Sequence, residues 1–393
     1  MSGLLDGIRV LDFSRLLPGG FGTALLADLG AEVVKIEQPG VGDYMRWLEP
    51  RIGGESAASW VVDRGKRSIG VDLKSPRGVE VVRRLARTAD AVVESFRPGV
   101  VDRLGVGYEA LHAENPRLVY CSISGYGQDG PLREAAGHDL NYIGRAGILS
   151  VTGADGGRPA IPGVQIGDLA GGALLALTGL LAALVRAART GEGEHVDVSM
   201  TDGSFALLSV HLGDYFATGE VPGPERMLLN GAYPCYNVYA CADGRHVTVG
   251  ALEPQFFEAL CAVVGRADLV PSRLDPAALP SWREIFLARG RDEWLAAFEG
   301  TEACVGPVND FEEALRDPQL RHRGMVVESQ HPSAGVTPQV APPLKLREHP
   351  AAAGASAPRL GEATRLFLRE AAYADDEIEE LLQLGVVCEP PPS

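Results

Sequence analysis

Short apolar runs and longer amphipathic stretches alternate over the first 130 residues. Ile8–Phe13, Glu32–Glu37, Ser68–Leu73, Ala91–Glu94 and Leu118–Ile123 are rich in β-branched residues, which predicts buried strands. Between them, Thr23–Leu29, Pro76–Ala89 and Tyr108–Glu114 carry helical spacing. Pro18-Gly19-Gly20 predicts a turn after the first strand, and Pro39-Gly40 closes the second. Strands separated by helices form right-handed βαβ units, so a parallel sheet is expected. A helix starting at Asp168 and a strand at His195–Met200 extend the same layer.

Beyond Gly219 the texture changes. Tyr236–Cys241, the dipeptide Asp243-Gly244 and His246–Val249 read as a hairpin with a tight turn. Helices near Pro254–Val264 and Asp292–Glu299 follow. Pro332, Pro338, Pro342, Pro343, Pro350 and Pro358 predict an extended connector over a surface. Amphipathic helices at Glu362–Glu370 and Asp375–Leu384 return the chain to the first domain. The expected class is α/β: a large, discontinuous Rossmann-like domain of residues 1–215 with 330–393, and a smaller inserted α/β domain of residues 220–328.

Composition narrows the function. At 393 residues, with 46% apolar and 22% charged, the chain is globular and large enough for two or three domains. Its net charge of −16 repels phosphate backbones and anionic lipid, so neither nucleic acid nor a membrane is an expected partner. One anionic small molecule in a locally basic pocket remains compatible. The 48 glycines imply many tight turns and close backbone approaches. Six dispersed cysteines without a Cys-x-x-Cys pair fit a reduced, cytoplasmic protein. The first residues lack the pattern of a signal peptide. Leu169–Val185 has no charge, but it is short for a membrane span and contains Gly171, Gly172 and Thr178, so a buried helix of a soluble domain is expected.

Familiar motifs fail. Gly125-Tyr126-Gly127-Gln128-Asp129-Gly130 matches the dinucleotide pattern G-x-G-x-x-G, but Pro131 and Arg133-Glu134 stand where an apolar helix should begin. Phosphate loops, nucleophile elbows and zinc-protease helices are absent, and the histidines lack metal-ligand spacing, so no metal is expected. What survives is three polar residues in glycine-rich, apolar surroundings: His138 in Gly137-His138-Asp139, Asp168 before Leu169-Ala170-Gly171-Gly172, and Glu253 before Pro254-Gln255-Phe256. Each has a bland explanation. An aspartate before a helix is more often a cap than a catalyst, and a lone histidine is usually a satisfied loop residue.

Taken together they say more. The chain resembles the family III coenzyme A transferases (CaiB/BaiF type). The resemblance lies in Ala27–Glu37, Gly65-Lys66-Arg67-Ser68 with Asp72-Leu73-Lys74, Arg97-Pro98-Gly99-Val100, Ser124–Gln128, Gly137–Tyr142, Gly167–Gly172 and Gly250–Phe256. Within that superfamily the His138 and Glu253 motifs are most similar to the 2-methylacyl-CoA racemase branch. The resemblance implies an interlocked homodimer of two-domain subunits acting on an acyl-CoA substrate. No cofactor is implied beyond the coenzyme A that the substrate carries.

The implied reaction is removal and return of the proton beside the thioester carbonyl, through an enolate, with His138 and Asp168 as the acid–base pair and Glu253 supporting the imidazole. A cap position would lower the Asp168 pKa and burial would raise it, with burial expected to prevail. The Gly171-Gly172 pair is expected to let the thioester approach the backbone. Gly137, Asp139, Leu140, Asn141, Tyr142 and Tyr236 are implied around the substrate. Val71, Asp72, Leu73 and Lys74 with Ser95 and Phe96 are implied near the nucleotide, and Arg97 and Arg103 at its phosphates. Arg64 and Lys66 are further basic candidates. Related racemases often carry arginine where this chain has Gln38, and a neutral amide holds phosphate less strongly. Two alternatives are a coenzyme A transferase, with Asp168 as nucleophile passing through an aspartyl-CoA thioester, and a binding protein without turnover.

Overall fold

A computed structural model describes residues 3–351 and 355–390. The chain divides into two units. The first comprises Met1–Ala146, Val164–Leu207 and Gln319–Ser393; the second comprises Gly147–Gly163 and Leu208–Pro318.

The first unit is built on a seven-stranded sheet. Its elements are β1 (Arg9–Asp12), α1 (Leu17–Asp28), β2 (Glu32–Glu37), β3 (Arg67–Val71), α2 (Pro76–Ala86), β4 (Ala91–Glu94), α3 (Tyr108–Glu114), β5 (Val119–Ser124), α4 (Asp139–Ala146), α5 (Leu175–Thr190), β6 (His195–Ser199) and α6 (Met200–Ala206). The strand order is Val387–Cys388, β3, β2, β1, β4, β5, β6; β1 to β6 are parallel, and Val387–Cys388 is an antiparallel edge on β3. Alternate side chains feed opposite faces, as the twofold period of a strand requires. Leu11, Val34 and Val92 join Val81, Leu85, Phe367 and Ile378 in one core, while Val10, Val33 and Val93 join Ala176, Leu180, Ala183 and Ala187 in the other.

Several expectations change. Pro18-Gly19-Gly20 is not a turn but the first turn of α1, where the missing proline N–H has no intrahelical partner to lose. The front of the proline-rich stretch is a strand: Gly335–Val340 pairs with Val326–His331, and Gln339 donates to the Trp60 carbonyl at 3.2 Å. This hairpin places residues 319–328 in the first unit rather than the small domain. Residues 147–163 fall in the second unit instead of the large domain, because Asn230 donates to the Val151 carbonyl and the Asp155 N–H donates to Glu225. Residues 208–215 also group with the second unit.

The helical stretch Gly167–Thr190 is long and apolar enough to cross a membrane. Its Ala176, Leu180, Ala183 and Ala187 pack on the sheet, as a layer helix does, but Leu174, Leu175 and Val185 are exposed, so it is buried on one face only.

The second unit holds an antiparallel sheet of Tyr236–Ala240, His246–Gly250 and Val305–Pro307. Tyr239, Phe257, Trp282, Phe286 and Trp294 fill its core.

Candidate active site

Strand order reverses between β1 and β4, and in open α/β sheets ligands bind outside the carboxyl ends at such a switch point. The turns leaving those two strands carry Arg15-Leu16 and Ser95-Phe96-Arg97-Pro98. Both line a cavity of about 540 Å³ that also takes in Tyr126, His138, Asn141, Tyr142 and Asp168. The two residues on which the expected chemistry depends therefore share one cavity.

His138 precedes α4. Its N–H donates to Asn141 Oδ1 at 3.1 Å, and its carbonyl accepts from the Asn141 N–H at 2.8 Å, a reciprocal cap that fixes the backbone and leaves the exposed imidazole free to face the cavity. Asp139 sits one residue on, and its Oδ1 accepts from the Asp168 N–H at 3.0 Å. Gly167 eases the close approach: a Cβ there would crowd Asp139 Oδ1 at 3.1 Å and Ile143 at 3.2 Å. Tyr142 is buried beneath and donates to the Gly137 carbonyl. At Gly137 a Cβ would stand 2.7 Å from the Tyr142 ring, so glycine is required to seat it.

Asp168 is not a helix cap. It lies in the first turn of a π-helical segment, Gly167–Leu174, that runs into α5. Wide turns of this kind are rare and concentrate at functional sites. Burial, helped by the like charge of Asp139, pushes the Asp168 carboxyl up to about 7. Gly171 and Gly172 do not line the cavity. They are buried against α6, and a Cβ on Gly171 would lie 2.8 Å from the Met200 carbonyl, so these glycines serve helix packing.

The expected nucleotide residues gather in part. Val71, Asp72, Leu73, Lys74, Phe96 and Gln38 line a second, smaller cavity of about 60 Å³, which Arg15 also borders. Arg97 lines the larger one, and Arg103 is exposed and lines neither. Leu140 is exposed beside Asn141. Arg64 and Lys66 are structural. Arg64 grips Asp28 through two hydrogen bonds, and the buried Lys66 Nζ pairs with Asp12 at 3.1 Å and Asp63 at 3.0 Å. Glu253 and Tyr236 belong to the second unit: Glu253 is exposed at the start of the helix Pro254–Val263, where its side chain makes no cap, and Tyr236 opens a strand.

Sequence reasoning passed over Arg15, Arg133 and Tyr44, which line the main cavity, and the buried ions beneath it. Lys35 Nζ lies 2.8 Å from Asp43 and 3.4 Å from Asp63. Burial opposes ionisation in this cluster, yet Lys66 and Lys35 hold Asp12 and Asp63 below the usual carboxylate range. The available signal was charged residues, Asp12 and Lys35, inside otherwise apolar strands.

A carboxyl poised near neutrality at a sheet's switch point is what catalysis asks for, and the class is an α/β enzyme. The profile of CoA-transferase family III matches residues 5–364, and the chain belongs to that family. It is 38% identical over 384 residues to the alpha-methylacyl-CoA racemase of Homo sapiens, covering 96% of each chain. It is 34% identical over 395 residues to the succinyl-CoA:glutarate CoA-transferase of Homo sapiens, covering 98% of this chain and 90% of the relative. A crystal structure of a CaiB/BaiF family protein from Brucella suis superimposes with a TM-score of 0.82 at 31% identity, over 94% of this chain and 100% of that one.

Proposed function

We propose that this enzyme racemises 2-methylacyl-CoA thioesters, with His138 and Asp168 removing the α-proton from one face and returning a proton to the other. One observation carries the reading: both side chains line a single cavity in which burial pushes Asp168 up to about 7. A reversible proton transfer runs best when base and conjugate acid have similar proton affinities near the working pH. Burial brings the carboxyl towards the range in which an imidazole titrates. Removing the proton leaves an enolate whose negative charge needs nearby donors or cations, and Arg97 and Arg133, which line the same cavity, favour it. The match to the racemase motif supports Glu253 as a functional carboxylate of the second unit.

A second reading has its own support, since similarity to the glutarate transferase is nearly as high. In it the Asp168 carboxylate attacks the thioester carbonyl, expelling the coenzyme A thiolate and leaving a mixed anhydride. The thiolate then attacks the aspartyl carbonyl and frees the acid.

Incubation of a chiral 2-methylacyl-CoA in deuterated water separates the two. Racemisation puts deuterium on the α-carbon with loss of optical purity, and His138→Ala and Asp168→Asn each lower that exchange by about 10²–10⁴-fold. Acyl exchange with a free acid, with Asp168 trapped by hydroxylamine and no deuterium incorporated, would overturn the racemase reading.

A further inference from the structure

Of the cations on the main cavity, Arg15 is the one held in place by design of the surrounding turns. Its guanidinium carbon lies 4.9 Å from the Phe96 ring centre and 5.5 Å from that of Tyr44. Among the described residues Arg15 has no carboxylate partner, and its hydrogen bonds are made by its backbone N–H and carbonyl rather than by the guanidinium. The contrast within the same unit is sharp: Arg9 is locked on Glu32, Arg46 on Glu37 and Arg64 on Asp28. Two aromatic faces attract the plane of a guanidinium and leave its N–H edge available.

The backbone below Arg15 is pinned on both sides. Ser95 Oγ accepts from the Arg15 N–H at 2.9 Å and donates to the Arg15 carbonyl at 3.1 Å. Lys35 Nζ donates to the Ser14 carbonyl at 3.3 Å, and Asp43 accepts from the Leu16 N–H at 3.1 Å. Leu16 itself has φ 62° and ψ −152°, a conformation that costs any residue but glycine. Such strain persists only where the surroundings over-determine it, and it clusters at ligand clamps. Here the buried lysine and aspartate supply that constraint at the switch point of the sheet.

We infer that Arg15 is a specificity-determining residue whose guanidinium takes a free carboxylate of the acyl group or acceptor acid, so that the site selects acid-bearing chains over neutral ones. The inference rests on the proposed action of Asp168 on an acyl thioester. A planar fork of donors matches a carboxylate two bonds at a time. Arg15 shares a cavity with Asp168, which places it at the acyl end, whereas the carrier's phosphates are separated from the thioester by the whole pantetheine arm. Arg15 also borders the smaller cavity with Asp72, Leu73 and Lys74, so a phosphate of the carrier is the other source of the same anionic chemistry.

Calorimetric titration of the full chain with glutaryl-CoA, pentanoyl-CoA and adenosine 3′,5′-bisphosphate tests this. Wild type should bind glutaryl-CoA at least tenfold more tightly than pentanoyl-CoA. Arg15→Gln should bring that ratio to within twofold while leaving pentanoyl-CoA and the bisphosphate unchanged, and Arg15→Lys should keep part of it. An equal loss for both thioesters and the bisphosphate assigns Arg15 to a carrier phosphate and overturns the inference, as does a wild-type ratio near one. Should Arg15→Gln fail to fold, Arg15→Lys decides: an undiminished ratio overturns the inference. If neither thioester binds wild type, the thioester reading fails as well. If the ratio behaves as expected but no deuterium or acyl exchange occurs, only the reaction assignment fails.

Discussion

Asp139 Oδ1 accepts a hydrogen bond from the Asp168 backbone N–H at 3.0 Å, while the Asp139 charge adds to burial in raising the Asp168 carboxyl. One residue therefore both places the carboxylate and makes it more basic. In Asp139→Asn the amide oxygen can still accept that bond, but the like charge is gone. The Asp168 pKa should move down from about 7, by less than burial contributes, because burial is the larger cause. If Asp168 must be ionised to take the α-proton, the acidic limb of kcat/KM for deuterium exchange shifts to lower pH and the variant outpaces wild type below neutrality. A limb that stays put would show that another group sets it.

Glu94 is buried at the end of β4 and accepts from the Phe96 N–H at 2.7 Å. Burial pushes its carboxyl up to about 7, against hydrogen bonds from Ser122 and Phe96. A carboxyl raised in the folded state binds its proton more tightly there than in the unfolded chain. Its contribution is therefore fully present below the ordinary value of 4.5 and is lost as pH rises through about 7. The shift corresponds to about 3 kcal/mol. Glu94→Gln keeps an acceptor for Phe96 and has no charge to bury, so urea unfolding should show greater stability than wild type at pH 8 and a flatter profile between pH 5 and pH 8. Parallel profiles would contradict this.

Much of this site could be read in the chain, and the remainder could not, for definite reasons. The β-branched runs place β2 and β4 at their observed limits, because a parallel strand buried on both faces is built around a short apolar run, here Val33-Val34 and Val92-Val93. His138, Asp168 and the 71–74 segment were legible through motif resemblance, since local glycines such as Gly137 and Gly167 are favoured by side chains packed against them. The cap assignment of Asp168 failed because a π-helical turn leaves no mark in hydrophobic spacing. Arg15 was overlooked because its meaning lies in long-range partners: Ser95 is eighty positions away and Asp43 and Lys35 come from other segments. The hairpin at 326–340 was masked by Pro338, which sits on a two-stranded ribbon where a missing N–H is tolerated.

The buried ions form a clamp that can be broken from one side. Lys66 lies within 3.1 Å of both Asp12 and Asp63, and none of the three side chains reaches solvent. Lys66→Met leaves Asp12 with Lys35, and Asp63 with Lys35 and the more distant Arg46, as the cations that face them. Removing one partner of a buried pair costs about 3–5 kcal/mol because the other charge stays desolvated. Urea unfolding should register that loss, and glutaryl-CoA binding should weaken as the 14–16 turn that holds Arg15 loosens. A change under 1 kcal/mol would mean the network contributes little to holding the turn.

Exposed apolar surface on the first unit bears on assembly. Leu174 and Leu175 are 46% and 40% exposed, and Phe205 and Leu207 are 51% and 52% exposed. In the second unit, helix Ser209–Thr218 buries none of its residues, and Phe216 is 76% exposed. Scattered apolar residues are ordinary on a surface, but several large ones exposed on neighbouring turns of the first unit mark a surface that another chain can cover. A second copy fits the homodimer implied by the family resemblance, and it would cover the Leu174, Leu175, Phe205 and Leu207 side chains of the first unit. Sedimentation equilibrium should therefore give twice the chain mass at micromolar concentration, without dissociation on dilution. Phe205→Glu places a charge on that face, so it should shift the equilibrium towards monomer while far-ultraviolet circular dichroism stays unchanged. A wild-type monomer with full exchange activity would remove the partner from the picture and leave the apolar faces to be explained by something else.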